Sequence, residues 1–260
     1  MSVRVCVLGS GSRGNATWVA TEKTRLLVDA GFSRRETFAR LRALGERPET
    51  CTAILVSHEH TDHVNGLKKL ASDLNCPVYI TGGTRATLPP DTQIKSFEIL
   101  TAGDRFCVGD IEVAPFSIPH DAADPVAFTF EAEGIKIGVV TDLGYIPELV
   151  KQHIRGCNCL IFESNHDLEM LKVGPYPWPV KQRVLSRHGH LSNLATAEFL
   201  SGEEFDGGAQ ILVLAHLSET NNHPEIARLT AEEALGLRAA GARPELHLAS
   251  QSTPTQTFRW

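Results

Sequence analysis

The chain has 260 residues, of which 42% are hydrophobic, and this is enough to bury one large core. Its net charge of −6 excludes a basic footprint over the whole surface, so a polyanion would have to be attracted by a local field. We find no apolar run of about 18 residues and no charged-then-apolar leader, and we therefore predict a cytoplasmic protein without a membrane span. Six cysteines without a CxxC pair indicate reduced, mostly buried thiols.

A glycine-rich segment follows the first apolar run. Gly9, Gly11 and Gly14 have the spacing of a dinucleotide-binding turn, but that turn requires a helix directly after the third glycine. The next residues, from Thr17 to Thr21, are β-branched and aromatic and favour a strand. We therefore predict a loop between two strands and not a nucleotide-binding site.

Strands and helices alternate along the rest of the chain, without repeats or an obvious linker. Helical faces are predicted before Gly45 and from Val64 to Leu74, and helix starts are predicted at Pro147, Ser192 and Pro224. Strands are predicted over Thr52 to Ser57, Ile111 to Ile118, Val126 to Phe130, Ile135 to Val140, Cys159 to Phe162 and Gln210 to Ala215. The pattern predicts a single α/β domain over residues 1–260.

The densest group of metal-ligating residues follows the predicted strand at Thr52 to Ser57. His58 and His60 are two residues apart, so in an extended chain they point to the same side and can share one metal ion. Asp62 and His63 lie where the chain turns into the next helix. Because the turn changes the direction of their side chains, they can reach a second ion near the first. Imidazoles and a carboxylate at this density favour zinc or another first-row transition metal over calcium or magnesium.

Three further strands end in a ligating residue, namely His120, Asp142 and His216. Together with the strand before His58, four strands end in this way. Burying an imidazole or a carboxylate costs several kcal/mol unless it is paired or bound to metal, so core packing does not account for these four strand ends. The sequence therefore predicts a metal site assembled from several strands.

The HxHxDH motif, followed by His120, Asp142 and His216 and preceded by LLVDAG, resembles the metallo-β-lactamase superfamily over essentially the whole chain. The resemblance implies an α/β fold, a four-layer αββα sandwich with a binuclear site for divalent Zn²⁺ or Mn²⁺. It also implies that Asp29 is a structural acid and that the GSGSRGN loop lies close to the site. The implied first-metal ligands are His58, His60 and His120, the second-metal ligands are Asp62, His63 and His216, and Asp142 bridges the two ions.

Four segments carry a narrower resemblance, namely ESNHD at 163–167, the Tyr176 to Arg183 segment, GHLSN at 189–193 and AHLSETNN at 215–222. They resemble the short YycJ/WalJ-like metallohydrolases. Members of that group are linked to 5′-to-3′ exonuclease activity on DNA, so DNA is a more favoured substrate than RNA. Asp142 and His216 are only 74 positions apart, which leaves no room for a β-CASP domain between them and argues against processive RNA degradation.

The implied mechanism is hydrolysis of a phosphodiester by a hydroxide that bridges the two metals. Asp62 is expected to accept or orient a proton, and His190, which resembles a ribonuclease Z histidine, is expected to protonate the leaving oxygen. Glu163 resembles the glutamate that orients this histidine. Lys181, Arg183 and Arg187 are candidate phosphate contacts, although charged helix faces are often simply solvated. The histidines at 166, 188 and 223 are expected to be supporting or surface residues.

Two other functions remain open at this point. A small-molecule hydrolase of the same fold would open thioesters, lactones or cyclic phosphodiesters, and the GHLSN tract argues against it. A non-catalytic regulatory module would have no need for the complete set of seven ligands.

Overall fold

The structure is a computed structural model that describes residues 3–90, 92, 94–206, 208–237 and 243–260. The chain forms two compact units. The first unit contains the described residues up to Ser117 together with 122–135 and 250–260. The second unit contains residues 118–121 and the described part of 136–249.

The first unit contains a seven-stranded sheet in the order β14-β1-β2-β3-β4-β5-β6. Its first three strands and β14 pair antiparallel, whereas β3 to β6 are parallel. Three further strands, β7, β8 and β9, form an antiparallel meander. The bounds are β1 Arg4–Gly9, β2 Ala16–Ala20, β3 Arg25–Val28, β4 Ala53–Leu55, β5 Val78–Thr81, β6 Phe97–Leu100, β7 Phe106–Val108, β8 Ile111–Ser117, β9 Val126–Ala132 and β14 Phe258–Arg259.

The glycine-rich segment joins β1 to β2, which pair antiparallel. No helix intervenes, so the predicted strand-to-strand loop is confirmed and there is no helix N-terminus to hold a pyrophosphate. The buried side of this sheet is built from residues such as Trp18, Leu27, Ile54 and Val78, each at most 1% exposed.

The helices of the first unit are α1 Arg34–Ala43, α2 Thr61–Val64, α3 Leu67–Leu74 and α4 Gly82–Thr87, with a 3₁₀ turn over Pro48–Thr50. Helix α1 ends before Gly45, whose φ of 77° lies in the left-handed region, as predicted. The single helical face predicted from Val64 to Leu74 is wrong in one respect, because the chain breaks between α2 and α3. Gly66 lies at the break, and a Cβ there would lie 1.9 Å from the carbonyl oxygen of Phe32.

The second unit contains four consecutive parallel strands, β10 to β13. Their bounds are β10 Ile135–Val140, β11 Cys159–Glu163, β12 Ile211–Ala215 and β13 Glu245–Leu248. The helices are α5 Glu148–Ile154, α6 Leu168–Val173, α7 Trp178–Val184, α8 Asn193–Ser201 and α9 Pro224–Gly236. Since parallel strands end at one edge, Asp142, Glu163 and His216 lie at neighbouring strand ends.

All six predicted strands are confirmed, each to within a few residues. Ser192 caps α8 by accepting a hydrogen bond from the Ala195 amide, and α9 begins at Pro224, both as predicted. Of the six cysteines, five are buried and Cys107 is exposed. Among the described residues, no helix combines the length and the apolar character that a membrane crossing needs.

Candidate metal-binding clusters

The first unit brings together the four residues of the HxHxDH motif, which we call the motif cluster (His58, His60, Asp62 and His63). His58 Nε2 lies 3.1 Å from His60 Nδ1. Two nitrogens bound to one tetrahedral zinc ion at its usual bond length are about 3.4 Å apart. The two imidazoles are therefore arranged as a pair that fits one ion, as the two-residue spacing predicted.

Asp62 and His63 lie on α2, and His63 Nε2 is 3.4 Å from Asp62 Oδ2. The His63 side chain is fully buried, whereas that of Asp62 is 20% exposed. Water can therefore reach the Asp62 carboxylate but not the His63 ring. This accessibility is what the expected proton acceptor requires.

Asp29 supports the motif cluster through hydrogen bonds to His63 and Ser57. His63 Nδ1 donates to Asp29 Oδ2 at 2.8 Å, and the Ser57 amide donates to Asp29 Oδ1 at 2.8 Å. The Ser57 hydroxyl also contacts Asp29 and lies 3.0 Å from His58 Nδ1. Asp29 has a positive φ of 62°, which is uncommon outside glycine and marks a backbone held in place by its surroundings. The expected structural role of Asp29 matches these contacts.

The glycine-rich loop contacts the same cluster through Asn15. Its Nδ2 lies 3.0 Å from Asp62 Oδ2 and 3.0 Å from His63 Nε2, and its backbone amide donates to the Asp62 carbonyl. At Gly31 an added Cβ would lie 1.7 Å from the Asp62 carbonyl oxygen. Glycine is therefore required where the loop after β3 passes the motif, and the predicted closeness of the GSGSRGN loop to the motif is confirmed.

The second unit contains the strand-end cluster, which we define as His120, Asp142, Glu163, His190 and His216. One ligand atom from each of the last four lies within 4.8 Å of those of the other three. His216 Nδ1 is 3.3 Å from Asp142 Oδ1, and His120 Nε2 is 3.9 Å from the same oxygen. Asp142 and His216 have positive φ values of 65° and 57°, so both have strained backbones, two residues past the end of β10 and one residue past the end of β12 respectively.

Glu163 is fully buried and joins two histidines of this cluster. Its Oε1 accepts from His190 Nδ1 at 2.8 Å and from His216 Nδ1 at 2.9 Å. Its Oε2 accepts from the amides of Leu143 and Leu191. Burial raises the pKa of this carboxyl, but the His190 charge and the hydrogen bonds from His190 and His216 outweigh it and lower the pKa from 4.5 to about 2. With four donors around it, Glu163 is placed to position histidines and not to touch a substrate.

His190 is the more accessible partner of Glu163. Its side chain is 14% exposed, whereas those of Glu163 and Asp142 are 0% and 3% exposed. The His190 ring lies 5.2 Å from the His120 ring and 5.1 Å from the His216 ring, measured between centroids. A histidine that is oriented by a carboxylate and still reachable has the geometry of a general acid or of a further ligand.

Both clusters fit divalent transition-metal ions by the chemistry of their donors. Histidine ligands usually donate one ring N–H to a carboxylate, a carbonyl or another polar group, which fixes the tautomer and leaves the lone pair on the other nitrogen. Here Nδ1 makes the supporting contact in five histidines: His58 with Ser57, His63 with Asp29, His120 with the Gly189 carbonyl, and His190 and His216 with Glu163. In the four rings proposed as ligands, those of His58, His63, His120 and His216, the lone pair is thus assigned to Nε2, whereas His190 as a proton donor would carry a proton on Nε2. Burial is the largest influence on the pKa of His120 and lowers it, which favours the neutral ligand form.

The other predicted polar residues have different surroundings. Lys181 is buried and donates to the Lys172 carbonyl at 2.6 Å, so its prediction as a phosphate contact is not supported by its placement. Arg183 is exposed and pairs with Asp121 at 3.0 Å. His188 is exposed, and His223 caps α9. His166 is buried, and burial lowers its pKa from 6.5 to about 4.

The sequence pattern does not single out Ser57, and it includes Asn15 only as part of the glycine-rich loop. Ser57 directly precedes the histidine motif and Asn15 ends the glycine-rich loop, and these positions were the available signals. Neither signal reveals the hydrogen bonds, because those depend on how β1, β3 and β4 pack.

Comparison with known proteins agrees with this geometry. A family model described as the beta-lactamase superfamily domain matches residues 24–217. The chain is 38% identical to an exodeoxyribonuclease YycJ of Bacillus anthracis, with 98% of each chain covered. It is 32% identical to an exodeoxyribonuclease WalJ of Streptococcus pneumoniae, over 96% of this chain and 95% of the relative.

Solved structures support the same fold. The metallo-β-lactamase fold protein YhfI from Bacillus subtilis superposes with a TM-score of 0.74 at 17% identity, over 98% of this chain and 99% of that one. The short form of human tRNase Z superposes with a TM-score of 0.64 at 18% identity, over 97% and 98% of the two chains. The predicted metallo-β-lactamase fold class is therefore confirmed. The chain belongs to the metallo-β-lactamase superfamily, in its YycJ-like group, and is a metal-dependent hydrolase.

Proposed function

We propose that this enzyme is a binuclear metal-dependent phosphodiesterase acting on nucleic acid, specifically a 5′-to-3′ exonuclease of DNA. The observation that carries the proposal is the His190 side chain, which is held by Glu163 at 2.8 Å and is still partly exposed. A sugar hydroxyl is a poor leaving group unless it is protonated as the bond breaks. A positioned and reachable imidazole supplies the proton donor that this reaction requires.

The metal ligands of the proposal are the seven residues that the resemblance assigns. In this proposal His58, His60 and His120 would hold the first ion, Asp62, His63 and His216 would hold the second, and Asp142 would be a ligand shared by both. We propose Zn²⁺ or Mn²⁺ for both positions, because the donors are imidazoles and carboxylates. When bound, two such ions supply an activated water and stabilise charge on the phosphoryl group.

The protein residues around the metals then have separate tasks. Asp62, the partly exposed carboxylate of the motif cluster, accepts or orients the proton of the attacking water. His190 donates a proton to the departing 3′ oxygen. Glu163 acts through His190 and His216 by fixing both rings, so it is a positioning residue.

DNA is the proposed substrate because two relatives that match nearly full length are named exodeoxyribonucleases. We propose a cytoplasmic location, because DNA and reduced cysteine thiols are both found in that compartment. The net charge of −6 means that phosphates must be bound by local groups, so we expect affinity to fall steeply with added salt.

The test is an assay of purified protein with Mn²⁺ or Zn²⁺ on 5′- and 3′-end-labelled DNA, single-stranded and duplex, with matched RNA. The proposal predicts metal-dependent release of short products from the 5′ end of DNA. A thioester and a β-lactam are assayed in parallel. Turnover of either one with DNA left intact would contradict the proposal and would favour a small-molecule hydrolase.

A further inference from the structure

The loop after Asp142 packs tightly against the loop that precedes His190. At Gly144 an added Cβ would lie 2.2 Å from the carbonyl atoms of Arg187, and the Gly144 amide donates to the Pro119 carbonyl at 3.0 Å. The Asp121 amide in turn donates to the His188 carbonyl at 3.0 Å. Gly144 and Arg187, which lie two residues after Asp142 and three before His190, are therefore held together by close backbone contacts.

An aromatic ring and an arginine are exposed at this place. The Arg187 guanidinium lies over the Tyr145 ring, 4.3 Å from its centroid. Tyr145 is 37% exposed and Arg187 is exposed. Aromatic rings of this kind stack with bases, and arginine binds phosphates or stacks on bases.

Tyr145 also lines a cleft of about 320 Å³, near the lower end of the range for small-ligand pockets, which is about 300–1,000 Å³. Glu198, Lys151 and Glu204 also line the cleft; Glu198 is exposed, and Lys151 pairs with Glu204. A phosphate inside the cleft would be repelled by the negative charge of Glu198, whereas a neutral base would not be repelled. The lining includes Tyr145, Ile146, Leu191, Ala195, Glu198 and Phe199.

We propose that Tyr145 and Arg187 form a nucleotide subsite in which the base on the leaving-group side of the scissile bond stacks on Tyr145 inside the cleft and the adjacent phosphate binds Arg187. The leaving-group side follows from the chain order, because Leu191 lines the cleft directly after His190, the proposed donor to the leaving oxygen. This subsite rests on the proposed nuclease function and adds to it the recognition of a base. It binds one nucleotide and does not take part in the bond-breaking step.

The first test compares Tyr145→Ala with the wild-type holoenzyme on short single-stranded DNA. We expect KM to rise roughly 5- to 100-fold, the usual worth of one stacked base, with a much smaller change in kcat. Tyr145→Phe keeps the ring and should restore most of the loss. Bis(p-nitrophenyl) phosphate, which has no base, reports separately on folding and metal loading. The ratio of DNA to nitrophenyl ester hydrolysis should therefore fall in Tyr145→Ala.

The second test removes the charge of Arg187. Arg187→Ala should weaken DNA binding and reduce the slope of log affinity against log salt by about one. The matched control is Arg42→Ala, which removes the same charge from an exposed arginine that also lies over a ring, that of Phe38, and pairs with Glu49 in the first unit. The control should leave the slope unchanged. Equal slopes for the two variants would contradict the phosphate contact.

An abasic substrate completes the test. DNA without the base on the leaving-group side should be cut by the wild type with the same loss as Tyr145→Ala shows on normal DNA, and the variant should lose nothing further on it. Wild-type cleavage of abasic DNA at the normal rate would overturn the subsite. If the wild type cleaves DNA while both variants behave like Arg42→Ala, only the subsite is wrong. If the wild type does not cleave DNA, the proposed function fails and the subsite fails with it.

Discussion

The two clusters are built in different ways. The motif cluster takes four side chains from six consecutive residues, 58–63, whereas the strand-end cluster takes five side chains from five separate segments. The first depends on a short local conformation held by neighbouring loops. The second takes Asp142, Glu163 and His216 from parallel strands that end at one edge, and His120 and His190 from separate loops. Both clusters contain imidazoles and carboxylates. In the first unit a short stretch of chain places them together, and in the second unit the order of the strands does so.

The support of the clusters also differs. In the first unit Asp29 orients His63, and Ser57 lies between Asp29 and His58. In the second unit a single carboxylate, Glu163, orients both His190 and His216. Loss of the one acid thus disturbs a proposed proton donor and a proposed ligand together, whereas loss of Asp29 disturbs only the motif cluster.

The largest effect is expected within the strand-end cluster, where His190 and His216 share one carboxylate but have different proposed tasks. His190→Ala should lose about 10²- to 10⁴-fold in DNA hydrolysis and keep its metal, because a positioned proton donor contributes that much. His216→Ala should lose metal and rate together. Rates on DNA and metal content of each variant are the measurements.

A nitrophenyl phosphodiester provides the control for this comparison, because its leaving group is already acidic and needs little proton donation. The defect of His190→Ala should shrink on it. If His190→Ala strips a metal, or slows the nitrophenyl ester as much as DNA, then His190 is a ligand or a structural support and not the acid.

The second-largest effect is expected on removal of Asp29 or Glu163, the acids that orient the histidines of the two clusters. Removal of the group that orients a ligand histidine typically costs about 10- to 100-fold in metal affinity or activity. We expect Asp29→Asn to fall in that range and Glu163→Gln to exceed it, since Glu163 holds two rings. Titration with Zn²⁺ and hydrolysis rates test both variants. A Glu163→Gln defect smaller than that of Asp29→Asn would contradict the difference between the clusters.

The smallest effect concerns His166, which is buried in the second unit without a hydrogen bond from either ring nitrogen to any described residue. Burial lowers its pKa from 6.5 to about 4, so as pH falls the unfolded chain takes up the proton first. This contribution to stability is present above pH 6.5 and is lost between pH 6.5 and 4. The loss amounts to about 2 to 3 kcal/mol at pH 4.5, relative to the stability well above pH 6.5.

His166→Gln removes this titration, so its free energy of unfolding should fall less than that of the wild type between pH 7 and 4.5. Urea denaturation at the two pH values measures it, with the exposed His188→Gln as the control. The same pH dependence in wild type and His166→Gln would show that burial does not shift this histidine.

The difference between the clusters also decides what the sequence could predict. The pairing of His58 with His60 followed from their two-residue spacing, and the meeting of Asp142 with His216 followed from their positions at strand ends. The contacts of Asn15 and Ser57 could not be predicted, because they join segments distant in sequence through side-chain hydrogen bonds. The helix break at Gly66 and the burial of Lys181 were missed for a related reason, since each depends on a backbone carbonyl supplied by another segment.

The central claim is that the motif and strand-end clusters both hold metal, and elemental analysis tests it most directly. The protein is purified without chelator and compared with His58→Ala and His216→Ala, which change one ligand in each cluster. We predict two divalent transition-metal ions per chain in the wild type and a lower number in each variant. A wild-type protein that stays metal-free when it is supplied with Zn²⁺, Mn²⁺ and Fe²⁺ would contradict the account.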